Sequence, residues 1–145
     1  MTVIDAMPSA PVAPAGAPGL RLLALTEPLP GIPAYRDYAL VAADLEGRLH
    51  WLQSVEADGP RFLVLAAAFF FPDYAPVLPR AARTELGLDG DVAPELYCLL
   101  TVPGGDPAAA TANLRAPLLV NAVRGLARQV VLNDVSHPIR RPLRR

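Results

Sequence analysis

The sequence predicts a mainly β fold in one domain, an antiparallel sandwich or barrel with one or two short helices, and three observations carry that prediction. Short apolar runs recur at 20–25, 38–45, 49–55, 62–67, 96–102, 114–121 and 129–132, each bounded by turn-forming residues. Their lengths suit strands better than helices, and their spacing with Gly, Pro and Asp between them is that of antiparallel β architectures. The chain of 145 residues is long enough to bury one core without covalent staples.

Residues 1–19 are mostly Ala, Pro and Gly, with Pro8, Pro11, Pro14 and Pro18 interrupting any hydrophobic period. Such a segment gains too little from burial to offset its ordering entropy, so a disordered tail is expected there, ahead of a β domain over 20–143. In the run 49–55, Leu49, Trp51, Gln53 and Val55 share one face and His50, Leu52 and Ser54 the other, so one face is expected to be buried. Glu46, Gly47 and Arg48 form a tight connection, with Gly47 available for a positive φ angle, and the runs either side should pair antiparallel. The run Phe62-Leu63-Val64-Leu65 is apolar on both faces, as in a strand covered on each side.

Phe69, Phe70 and Phe71 in succession cannot share one side of a strand, so at least one needs cover beyond a one-sided core. A helix is predicted over 79–86, opened by Pro79 and closed by Gly87. A further turn follows Asp106, which can cap the segment that Pro107 starts.

The single cysteine, Cys98, excludes an internal disulfide and a cysteine-based zinc site, which suits a reducing cytoplasm. The first basic residue is Arg21, too late for a secretory signal, and the longest apolar run, 62–71, is too short to span a membrane. Cofactor and metal motifs are missing: His50 and His137 form no ligand-spaced pair, and Asp89 with Asp91 matches no calcium loop. No nucleophile elbow is present either, and Cys98 between Tyr97 and Leu99 reads as a buried, inert thiol. The thirteen basic residues are all arginine, and they are unevenly placed. Residues 1–114 carry −7, and 115–145 carry +6, a layout suited to steering a charged partner.

Binding to other proteins fits this inventory best. The candidate contact residues are Phe71, Asp73 and Tyr74, which join an anchor aromatic to a charge, with Asn113 and Asn121, whose amides can pair with a docked backbone or with local backbone groups. Two other classes stay open: a small enzyme using Cys98 or a carboxylate such as Asp73, and a nucleic-acid binder using Arg140, Arg141, Arg144 and Arg145.

Five ordered stretches then resemble the FliW family: Gly31-Ile32-Pro33-Ala34-Tyr35, Trp51 through Glu56, Phe71-Pro72-Asp73-Tyr74, Thr111 through Asn121, and Arg128 through Leu132. The family's Gly-Ile-Pro-Gly-Phe pattern ends here in Ala34 and Tyr35, and His137 stands where a tyrosine is expected. The resemblance implies a small β-barrel-like, non-enzymatic and cytoplasmic flagellar assembly factor, acting as a monomer without cofactor. Its implied partners are flagellin and CsrA, the translational repressor of flagellin messenger RNA, which the factor sequesters once flagellin has been exported.

Overall fold

The structure, a computed structural model, describes residues 20–90 and 94–143. The tail expected over 1–19 lies outside the described residues. Seven strands close a barrel: β1 (Leu20–Leu25), β2 (Asp37–Ala42), β3 (Leu49–Ser54), β4 (Arg61–Ala66), β5 (Glu95–Thr101), β7 (Leu118–Asn121) and β8 (Leu126–Gln129). Strands β1 to β4 form a meander, β4 pairs with β5, β5 with β7 and β7 with β8, all antiparallel. The last seam, β1 on β8, is parallel, so the expectation of a wholly antiparallel sheet is corrected at one pairing. Two short strands, β6 (Thr111–Ala112) and β9 (Arg141–Pro142), extend from the end of β5 as a small second sheet.

Alternation fills the barrel, since Leu23, Leu25, Tyr38, Leu40, Leu52, Phe62, Val64, Tyr97, Leu99, Leu118 and Val120 meet in one cluster. In β3 the buried face is that of His50, Leu52 and Ser54, while Trp51 faces outward beneath the Arg61 guanidinium, 4.1 Å from the ring centre. The β2–β3 hairpin forms as predicted, with Gly47 at φ 70° and the Asp44 carboxylate accepting from the Arg48 and Leu49 amides. The run 38–45 stops pairing at Ala42, and Leu45 stands fully exposed in the hairpin loop.

Strand β5 is buried on both faces. Tyr97 and Leu99 enter the barrel, while Cys98 and Leu100 pack outside it with Leu65, Ala67, Ala112 and Leu114. A third cluster seats α2 (Arg80–Glu85) on the outer face of β7, through Ala82, Leu86, Leu88, Leu119, Val130 and Leu132. That helix matches the predicted one within a residue at either end. Gly87 at φ 75° closes it, with the Gly87 and Leu88 amides donating to Thr84 and Arg83 carbonyls. Asp106 caps the 3-10 turn Pro107–Ala109 by accepting from the Ala108 amide, as its sequence suggests.

Beyond the run 62–67, Ala67–Phe70 form one helical turn, α1, that lifts the chain off β4. Two further expectations need correction. The run 114–121 is strand only from Leu118, because Asn113 folds 113–116 into a side-chain-capped turn and Pro117 has no N–H to give a ladder. The last apolar run is displaced: β8 occupies Leu126–Gln129, and 130–132 follow as a segment whose Val130 and Leu132 amides donate to Pro117 and Arg115 carbonyls.

Candidate docking cleft

The segment after β4 builds one wall of a cleft of about 580 Å³. Pro72 disfavours a helical conformation at Phe71, so α1 ends there and the chain turns, the Tyr74 amide donating to the Phe71 carbonyl at 2.9 Å. Phe70 and Phe71 lie 6.4 Å apart and pack on the outer cluster around Cys98, leaving Phe69 as the exposed member of the trio. The Tyr74 hydroxyl donates to the Leu114 carbonyl at 2.5 Å, and its ring meets His137 edge to face at 5.3 Å. Burial raises the Tyr74 hydroxyl pKa, so it stays a neutral donor.

The facing wall is the chain from Ser136 to Leu143. Arg115 fixes it from behind, donating to the carbonyls of His137 at 2.9 Å and Val135 at 2.8 Å, and the Leu114 amide donates to Pro138 at 2.9 Å. The β6–β9 pairing fixes its far end, where the Arg141 guanidinium lies 5.3 Å from the Phe71 ring centre. The result is an aromatic and proline-lined cleft with a cation on one rim and Asp73 exposed on the other.

Phe71, Asp73 and Tyr74 thus come together at this cleft, whereas Asn113 and Asn121 do not line it. Asn113 stands just behind, its side-chain oxygen accepting from the Arg115 and Ala116 amides at 3.0 and 3.1 Å. Asn121 is buried: it donates to the Leu86 carbonyl at 2.8 Å and accepts from Val123 and Arg124, tying α2 to the β7–β8 turn. Cys98 is wholly buried, and desolvation pushes its thiol up to about 12, an environment that disfavours a nucleophilic thiolate.

Sequence reasoning missed a second polar constellation at one mouth of the barrel. Arg21 of β1 reaches Glu95 of β5 through two bonds of 2.8 Å and also donates to the Tyr97 hydroxyl at 2.6 Å, which in turn donates to Glu95 at 2.6 Å. The His50 ring stands edge-on to Tyr97 at 5.3 Å, with Nδ1 buried and without a hydrogen-bond partner. These residues border a recess of about 420 Å³ whose rim includes Phe69 and Pro72. The signal was present, because inward parity in β1, β3 and β5 falls on Arg21, His50 and Glu95, but no sequence motif pairs them.

Among the described residues no group of three or more His, Cys, Asp or Glu is placed to hold a metal ion, and no helix is long and apolar enough to cross a membrane. The described residues thus form a closed barrel dressed with an aromatic and proline-lined cleft. The chain belongs to the FliW protein family, whose model matches residues 17–143. It is 30% identical over 120 residues to the flagellar assembly factor FliW of Leptospira interrogans, an alignment covering 83% of this chain and 80% of the relative. The Bdellovibrio bacteriovorus flagellar assembly factor FliW is 35% identical over 122 residues, covering 84% and 69%. A crystal structure of the flagellar assembly factor FliW superposes with a TM-score of 0.74 at 28% identity, covering 84% of each chain. Its fold is therefore that of a flagellar assembly factor, a role that is not enzymatic.

Proposed function

We propose that this protein works in the cytoplasm as a monomeric partner-switching factor, binding flagellin and CsrA in turn and so relieving repression of flagellin translation. Family membership supplies the partners, and one structural observation supports a binding role: Phe71, Asp73 and Tyr74 converge on a preformed cleft held by main-chain bonds from both walls. A preformed concave surface with apolar anchors and a few polar groups suits recognition, since little ordering entropy is lost on docking. Cys98, one of the two groups named for an enzymatic reading beside Asp73, is sealed from solvent and held as a thiol. Asn113 and Asn121 then contribute by shaping the surface.

Titration calorimetry with flagellin and with CsrA, each alone and in the presence of the other, tests this reading. Both should bind, and saturating one should weaken the other by the same factor in either direction. Unchanged affinity for CsrA in saturating flagellin would exclude the switch.

A further inference from the structure

The cleft between the α1 exit and the C-terminal wall has a chemistry more specific than general apolar docking, and the geometry points to an extended segment alternating acidic and apolar residues as its occupant. This rests on the partner-binding reading for its biological setting, although the probe below tests it without either named partner.

Four observations converge. First, Arg141 is the arginine that lines the cleft, and it has no carboxylate partner among the described residues, unlike Arg21, Arg48 and Arg128. Second, Arg141 is held over the Phe71 ring, and a guanidinium lying on an aromatic face keeps its N–H fork free to grip a carboxylate. Third, Phe70, Phe71, Tyr74, Leu114 and Leu143 supply apolar surface to the cleft, so side chains on one face of an extended strand can pack there while the other face meets the polar groups of the lining. Fourth, Asp73 on the opposite rim repels acids and so gives the occupant a direction, its carboxylates toward Arg141. The remaining acid nearby, Asp134, already faces His137 at 3.8 Å and holds the Ser136 amide.

Recognition must come from side chains more than from strand addition, because β9 is the edge of its small sheet and Pro142 offers no N–H. The same stacking argues against a nucleic acid. The Phe71 face that a base would need is occupied by Arg141, and Tyr74 is turned edge-on to His137.

The test is fluorescence anisotropy with three labelled probes: an octapeptide alternating glutamate and leucine, its glutamine counterpart, and an octamer of uridylate. The full chain is compared with Arg141→Gln and with Arg80→Gln, an equal charge change on α2, which lies on a different face of the barrel. The glutamate peptide should bind about tenfold tighter than the glutamine one, and Arg141→Gln should remove most of that difference. Arg80→Gln should change affinity by less than about twofold, and Arg141→Lys should fall between, since it keeps charge but loses the fork. Equal binding of both peptides, equal effects of the two glutamine variants, tighter binding of the uridylate octamer, or no peptide binding at about 1 mM would each overturn the inference. If flagellin and CsrA bind while the glutamate peptide does not, the proposed function survives and this inference does not. Selective glutamate-peptide binding without either protein sustains the cleft chemistry and removes only the named partners.

Discussion

Arg21 and Glu95 grip each other across one mouth of the barrel, through two bonds of 2.8 Å that join strands which are not neighbours in the sheet. The pair is therefore a strut over the core rather than a decoration of one ladder. The hydrogen bond from Arg21, ahead of the one from Tyr97, holds the Glu95 carboxyl below its usual pKa, although burial works the other way. A depressed carboxylate contributes stability that is present above its unfolded pKa and is lost as pH falls through the lower folded value. Both side chains are more than a third exposed, so screening keeps the effect modest. Glu95→Gln should cost about 1 kcal/mol in urea unfolding at neutral pH. That deficit should vanish below the usual carboxylate range, and a deficit unchanged by pH would show that shape, not charge, carries it.

His50 predicts a sensitivity of the same sign in a higher pH window. Burial, and then the nearby Arg21, lower its pKa from the usual 6.5. A histidine buried neutral gives stability that is fully present above 6.5 and lost as pH falls through its lower folded value. Proton NMR should find the His50 ring titrating below 6.5, and His50→Leu should flatten the loss of stability on mild acidification while costing little at pH 7. A ring titrating above 6.5 would contradict the assignment.

Cys98 should resist thiol reagents in the native state. With no exposure and a thiol pushed up to about 12, its alkylation at pH 7.5 must wait for opening of the surrounding cluster. Addition of denaturant should release the reaction to the rate of a free cysteine. Fast native labelling would refute the burial.

Gly59 marks a place where backbone and core meet too closely for any side chain. A Cβ there would stand 2.2 Å from Ser54 Oγ and 2.3 Å from Ser54 Cβ, and Ser54 is buried at the end of β3 with its amide bonded to the Pro60 carbonyl. Neither partner can step aside without breaking that turn, so Gly59→Ala should cost about 1 to 3 kcal/mol. Thermal unfolding of the single variant reads this directly, and an unchanged Tm would mean the β3–β4 turn relaxes freely.

Deletion of residues 1–18 should leave cooperative unfolding within about 1 kcal/mol of the full chain, since their Ala-, Pro- and Gly-rich sequence offers no core-forming pattern. Loss of the transition would show that this segment contributes to the fold.

The strands were legible where a single face alternates or where both faces are covered, as in 20–25, 49–54 and 61–66. Legibility failed where an apolar run serves two structures at once. Leu114 belongs to the outer cluster and Leu118 to the barrel, and the turn between them is set by Asn113 and Pro117, which hydrophobicity does not weigh. The turn Ala67–Phe70 went unread for a related reason, because a helical turn only four residues long has too few positions to display a period. Phe71, Asp73 and Tyr74 could be chosen for the cleft because they are contiguous. Arg21 and Glu95, 74 positions apart, could be joined only by the barrel itself.

The parallel seam of β1 on β8 also sets an order of events during synthesis. Ala24 is paired with Leu126 and Leu25 with Ala127, while β1 through β4 are linked by successive local hairpins. As the chain leaves the ribosome, the four-stranded meander can assemble early, but the free edge of Leu20–Leu25 has no partner until about a hundred further residues have been made. Until then it exposes an apolar strand to any neighbouring nascent chain. The slow step of maturation is thus the final stitching of the first strand to one of the last, and substitutions in Leu126–Gln129 should lower the yield of folded protein through aggregation more than they lower the stability of the molecules that succeed.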